Sequence, residues 1–221
     1  MKNLRFYFVA FAAIMLINGL FNKVVGQSKD DLKDPGINQI SQEDLQAILD
    51  VLHINIFKFN IGLPIEQKCS AVLYRQEYEK RNMIKETTIW GTSNPFRTIE
   101  NGVEVEKALD QIRIISKKDN DNFILFIRMG DFGLNDYKIK YDSIYTNPHD
   151  CKPFKLPTKY KIGDKIPLLL IGSYWDSTSK DGKMKTQRFC WELNDLNNDF
   201  SDKAFDVMPH YLVFGIKLEE Q

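Results

Sequence analysis

The chain has 221 residues, of which 43% are hydrophobic and 27% are charged, and these values are typical of a single globular domain. Its 30 basic and 30 acidic residues leave no cationic excess, which argues against nucleic acid or an anionic membrane surface as a partner. Two classes of function remain, an enzyme and a module that binds a glycan or protein ligand.

Residues 1–26 have the features of a cleavable signal peptide. Lys2 and Arg5 give a positive start, an apolar run follows, and Gly26 supplies a small residue at the end. We predict cleavage before Gln27, which implies that the mature protein is secreted or periplasmic.

An uncleaved membrane anchor is the alternative. A membrane helix needs about 20 consecutive apolar residues, and Asn18 interrupts this run. Cleavage removes three basic residues and no acidic one, which leaves 27 basic and 30 acidic residues and a net charge of −3. We expect no membrane insertion after cleavage.

Residues 27–39 form a polar lead-in, and residues 40–221 a single β-rich domain. Ser41 and Asp44 are arranged as a helix-capping box. An apolar stripe at helical spacing follows, and it predicts a helix that ends near His53 and packs on a sheet.

Most later segments have the composition of β-strands. A first strand is predicted at residues 54–61, and a last one at residues 210–218. Two hairpins are predicted, one over residues 70–90 and one that starts at Gln111.

The other segments between these strands are less regular. We predict a strand at residues 137–145 and loops at residues 91–96 and 147–157. Residues 103–115 also fit a helix with Asn101 and Glu104 as its cap residues, and we expect at most one helical turn before Gln111.

The longest predicted hairpin covers residues 165–193, with a two-residue turn at Asp181-Gly182. This register places Gly172 opposite Trp191 on one face. On the other face it places Trp175 opposite Arg188.

The predicted fold is mainly β, an antiparallel sandwich-like domain built of hairpins with an N-terminal helix. The alternative is an α+β fold with the helix packed on an antiparallel sheet.

The three cysteines, Cys69, Cys151 and Cys190, leave at least one thiol unpaired. Export permits a disulfide, and Cys69 with Cys151 is the pair we considered, since both lie near predicted strand ends.

No nucleophile elbow, zinc-binding helix, phosphate loop or dinucleotide fingerprint occurs in the sequence. Cys151 follows His149 and Asp150, and a thiol enzyme would require His149, His53 or His210 as its base. A calcium-loop pattern at residues 195–206 lacks the glycine that its turn requires. We therefore expect no catalytic residue, no metal and no cofactor.

Aromatic side chains offer a binding surface instead. Trp175 and Arg188 on neighbouring strands form a possible stacking platform for a sugar or peptide, which Trp90 would extend. The competing interpretation is that these tryptophans belong to the core.

A Lys/Asn/Ile-rich composition, a signal peptide that ends at Gly26-Gln27 and a β-rich body are combined in this chain. In these respects it resembles the uncharacterised secreted proteins, domains of unknown function, of Bacteroides-type bacteria. The resemblance implies export to the periplasm or beyond and carries no activity. We expect an exported non-catalytic binding or interaction module, with a periplasmic hydrolase or thiol enzyme as the alternative.

Overall fold

The computed structural model describes residues 41–120, 122–141, 145–179, 182–190 and 192–221. The predicted signal peptide and the whole of the lead-in lie outside the described residues, as do Asp181 and Trp191 of the longest predicted hairpin. Residues Glu43–Gln221 form one compact unit.

The fold is mainly β with one short N-terminal helix, as predicted. The helices are α1 (Gln42–Val51) and α2 (Ala204–Val207). The strands are β1 (Ile54–Asn60), β2 (Cys69–Glu79), β3 (Asn82–Asn94), β4 (Phe96–Glu100), β5 (Val103–Lys107), β6 (Gln111–Asp119), β7 (Asn122–Met129), β8 (Phe132–Ile139), β9 (His149–Pro153), β10 (Lys165–Ser173), β11 (Trp175–Thr178), β12 (Lys185–Arg188) and β13 (Tyr211–Glu219).

Two larger antiparallel sheets pack face to face. One has four strands in the order β1-β6-β7-β8, and the other has five in the order β3-β2-β13-β10-β9. Between them lies core 1, to which β6 and β7 contribute every second residue, as expected for strands with one buried face. Across from them β13 contributes the face that the sequence predicted, Leu212, Phe214, Ile216 and Leu218.

The central part of the five-stranded sheet is buried on its second face as well. Leu170, Tyr211 and Val213 project from that face into core 2. The segment that follows β12 covers them, with Phe205 of α2 and Met208 fully buried. Burial on both faces explains why β10 and β13 are almost uninterrupted apolar runs.

The prediction that the N-terminal helix packs on a sheet is wrong. Helix α1 begins directly after Ser41, as its capping residues indicate, but none of its residues is buried and Val51 is 77% exposed. Two residues after its end the chain enters β1, an edge strand, so the helix stands at the edge of the four-stranded sheet.

The longest predicted hairpin is correct only at its outer end. Trp175 pairs with Arg188 as expected, within the small sheet of β11 and β12. Below it β10 leaves the hairpin and pairs with β13 and β9, so that Gly172 lies opposite Tyr211. A Cβ atom on Gly172 would lie 2.3 Å from the sulfur of Met208. Pairing with β13 and β9, together with burial on both faces, stabilises this arrangement of β10 more than the local turn would stabilise the predicted hairpin.

Three local predictions also require correction. The expected helical turn before Gln111 is strand β5, and the expected loop at residues 91–96 is the end of β3 and the start of β4. The expected loop at residues 147–157 contains β9, an edge strand that tolerates Pro153 because its outer side needs no donor. Strand β8 starts earlier than predicted and ends at Ile139.

The close approach of β13 to β10 generates a first prediction. A Cβ atom on Gly215 would lie 2.4 Å from the backbone oxygen of Ile166, which cannot move without breaking the sheet. We expect Gly215→Ala to lower the free energy of unfolding by about 1–3 kcal/mol, measured by urea denaturation.

Gly133→Ala is the matched control, because Gly133 also lies in an antiparallel strand and its added Cβ has only ordinary contacts at 3.5 Å and beyond. We expect a change within about 0.5 kcal/mol. Equal stabilities of the two variants would show that β10 and β13 are not packed this closely.

Candidate ligand-binding cleft

The β4–β5 hairpin stands beside the four-stranded sheet, and sequence reasoning missed it. Asn101 and Gly102 both have positive φ, 51° and 81°, the geometry of the two-residue type I′ turn. An Asn-Gly pair between alternating segments is the strongest local hairpin signal. Interpreting Asn101 as a helix cap concealed it.

Asn94 anchors the base of this hairpin. Its side chain is fully buried and donates hydrogen bonds to the backbone oxygens of Pro64 (2.9 Å) and Gln67 (2.7 Å). The backbone N–H of Leu109 donates to its Oδ1 (2.7 Å). One amide thus connects the loop after β1, the end of β3 and the segment after β5.

These elements enclose a cleft of about 620 Å³ on the outer side of the four-stranded sheet. Its lining is mostly charged or amide side chains with a smaller apolar part. The lining residues are Ile65, Phe96, Glu106, Lys107, Ala108, Asp110, Gln111, Arg113, Arg128, Gly130 and Asp131.

Two arginines of the cleft have the same charge at directly opposed positions. Arg113 on β6 pairs with Arg128 on β7, an arrangement that is destabilising without a counter-charge. Arg113 Nη2 donates to Gln111 Oε1 at 3.4 Å, while its Nε is buried and has no hydrogen-bond partner. Within the described ranges no ion pair joins a carboxylate to either guanidinium.

The other charges of the cleft are partly paired. Lys107 donates to Glu100, which raises the pKa of that ammonium group, and Glu106 lies 3.4 Å from Arg97. Asp110 and Asp131 are close enough to Lys107 to raise its pKa further. The unpaired positive charge of the cleft is therefore concentrated at the two arginines.

A second polar cluster lies away from the cleft, around His149 and His210. The rings of Tyr141 and His149 stack with centroids 3.7 Å apart, Tyr145 and His210 stack at the same distance, and the two imidazoles are 5.9 Å apart. His210 Nε2 lies 3.0 Å from Glu77 Oε1. This cluster was not predicted, because its members come from distant positions.

Burial controls the protonation of this cluster. It lowers the pKa of His149 to about 4, with a contribution from the nearby His210, and it lowers the pKa of His210 as well. The Oη of Tyr141, Nε2 of His149 and Nδ1 of His210 have no hydrogen-bond partner in the described chain. Burial therefore favours the neutral form of both imidazoles.

Cys151 does not form the catalytic pair that its position beside His149 suggested. Its sulfur accepts from Asn55 Nδ2 and shares a hydrogen bond with Ser116 Oγ, each at 3.4 Å. Burial raises the pKa of the thiol to about 11. His53, another proposed base, is exposed at the end of α1.

The considered disulfide is absent as well. Cys69, Cys151 and Cys190 are all free and buried. Cys69 and Cys151 both lie in core 1, and Cys190 lies in core 2.

The structure brings together two of the three predicted binding residues. Trp175 and Arg188 are cross-strand partners, with Trp175 half-buried against core 2 and Arg188 exposed at 3.6 Å from Glu192. Trp90 on β3 packs against core 1 instead. The platform of Trp175 and Arg188 stays a prediction, without Trp90.

Where the chain is described, no group of three or more His, Cys, Asp or Glu side chains is arranged to hold a metal ion. None of the helices in those ranges is sufficiently long and apolar to cross a membrane.

A family model described as a domain of unknown function (DUF5041) matches residues 26–220. The chain belongs to this family. The expected membership in an uncharacterised family is thereby confirmed. No curated protein and no solved structure matches the chain.

The anchor of the cleft can be tested in this DUF5041 chain. We expect Asn94→Ala to lower the free energy of unfolding by about 1–3 kcal/mol, because the buried N–H of Leu109 loses its acceptor and two carbonyls lose a donor. Urea denaturation is the measurement. Asn60→Ala, which removes an exposed hydrogen bond to Gln111, is the control and should change stability by less than about 0.5 kcal/mol.

The histidine cluster predicts a dependence of stability on pH. The folded-state pKa of His149 lies below the unfolded value of about 6.5, so the unfolded chain binds a proton first as the pH falls. The stability is intact above pH 6.5 and falls between pH 6.5 and 4, by about 2 kcal/mol at pH 5. His149→Phe should remove this part of the loss in urea melts from pH 7.5 to 5.

His53→Asn is the control, because His53 is exposed and has a positive φ that asparagine tolerates. It should retain the full loss of stability. If His149→Phe has the same pH dependence as the parent, His149 is not the buried neutral group.

Proposed function

We propose that this DUF5041 chain is an exported, non-catalytic binding module whose ligand occupies the cleft beside the β4–β5 hairpin. The observation that carries the proposal is the chemistry of the cleft, which combines unpaired charged side chains with the absence of Ser, Thr, Cys and His from its lining. Such a lining provides recognition without a nucleophile of those types.

The groups that a thiol enzyme would use support the same conclusion. Cys151 is protonated at neutral pH because its pKa is about 11, and its sulfur is engaged by Ser116 and Asn55. A reactive cysteine requires the opposite, a lowered pKa and access to solvent. His149 and His210 are buried in the same interior, away from the cleft.

The exported location is part of the proposal. It is supported by the charge and apolar pattern of residues 1–26, and the family match starts at residue 26, next to the predicted cleavage site. The bacterial origin of Bacteroides type is supported only by the resemblance in composition.

Binding and catalysis can be distinguished with one panel of probes. The purified protein is titrated by calorimetry with neutral, uronate-containing and sulfated oligosaccharides and with short peptides, and each mixture is then assayed for conversion by mass spectrometry. We expect saturable binding of at least one probe with no conversion of any.

Ala108→Phe locates the site, because Ala108 lines the cleft and a phenyl group there would occupy part of the space that a ligand needs. It should weaken binding at least about tenfold. The control, Thr88→Phe on the exposed surface of β3, should bind as the parent does. Conversion of a probe would show an enzyme, and loss of binding in Trp175→Ala but not in Ala108→Phe would move the site to the predicted platform.

A further inference from the structure

The two opposed arginines indicate what the cleft binds. Arg113 and Arg128 face each other across neighbouring strands with no carboxylate paired to either one in the described residues. The Cβ atoms of such cross-strand partners are about 4.5–5.5 Å apart, so both guanidinium groups can reach one anion. The buried Nε of Arg113, which lacks an acceptor, leaves that guanidinium poorly solvated and increases its gain from a bound anion.

The total charge of the lining limits the number of anionic groups. Lys107, Arg113 and Arg128 are balanced by Glu106, Asp110 and Asp131, so the lining has no net charge. A polyanion would be attracted to the arginines and repelled by the acidic side chains around them. A ligand with one anionic group among neutral hydrogen-bonding groups matches this pattern.

The polarity of the walls favours a saccharide over a peptide. Sites for apolar ligands are lined mostly by hydrophobic side chains, whereas here the apolar part is Ile65, Phe96 and Ala108. Asp110, Asp131 and Gln111 can accept hydrogen bonds from hydroxyl groups. Planar guanidinium groups bind a carboxylate in a bidentate manner.

We propose that the cleft binds an acidic saccharide, with one sugar carboxylate held between Arg113 and Arg128 and the adjacent hydroxyl groups held by Asp110, Asp131 and Gln111. This inference rests on the proposed function, since it names the ligand class of the same cleft.

The test compares trisaccharides that carry a single galacturonate or glucuronate among neutral sugars with their methyl esters, in which the charge is lost and the sugar is retained. A sulfated trisaccharide and pentapeptides with free or amidated C-termini are the other probes. Affinities are measured by calorimetry for the parent, Arg113→Gln, Arg128→Gln and Lys138→Gln. Arg128 is exposed, so we expect its substitution to leave the fold intact. Lys138→Gln is the control, because it removes the same charge from the outer side of the same sheet.

We expect a uronate trisaccharide to bind at least about tenfold more tightly than its ester, as one charge-assisted hydrogen bond implies. Each arginine substitution should reduce the affinity by about the same factor, and Lys138→Gln should change it less than about twofold.

The inference is overturned if acid and ester bind with equal affinity, or if Arg128→Gln binds the uronates as the parent does. It is also overturned if neither uronate binds. If the sulfated trisaccharide binds more tightly than the uronates, the ligand's anionic group is not a carboxylate. If the peptide with a free C-terminus binds more tightly, the ligand is not a saccharide. The proposed function survives these results where another probe binds unconverted and Ala108→Phe abolishes that binding. It fails separately, through conversion of a probe.

Discussion

The structure depends on the burial of the five-stranded sheet on both faces. β10 and β13 form its centre, and their side chains alternate between core 1 and core 2. Because both faces exclude water, the pairing of β10 with β13 and β9 contributes more than the local hairpin that the turn at Gly182 suggests. The segment after β12 is then recruited as the cover of core 2.

The four-stranded sheet differs from the five-stranded sheet, because its outer face is open and carries the cleft. Its inner face closes core 1, whereas the outer face of β6 and β7 carries Arg113 and Arg128. Asn94 holds the β4–β5 hairpin and the loop after β1 against one end of this face. A rigid anchor of backbone-directed hydrogen bonds is a suitable support for a binding cleft, since the positions of its walls do not depend on the ligand.

Burial also determines the direction in which the pKa values of the interior cysteine and histidine side chains are shifted. The thiol of Cys151 has a raised pKa and the imidazoles of His149 and His210 have lowered ones, so burial favours the neutral form of all three groups. The ring contacts of these histidines with Tyr141 and Tyr145 connect the start of β9 to the residue before β13. The lining of the cleft carries charged side chains but no cysteine, serine or threonine. The cysteines lie in the interior, where burial raises the pKa of their thiols.

The sequence by itself determined the mainly β class, several of the strands and hairpins, and the pairing of Trp175 with Arg188. These features depend on residues that lie near one another in the chain. It also contained the Asn101-Gly102 turn, which a helical interpretation of the same residues concealed. Only the tertiary structure decided that β10 pairs with β13, that α1 stays exposed and that Trp90 packs against core 1. It also decided that Arg113 and Arg128 share a cleft with Asp110 and Asp131. The physical reason is that pairing between distant strands and burial of a second sheet face depend on competing partners, which local pattern does not rank.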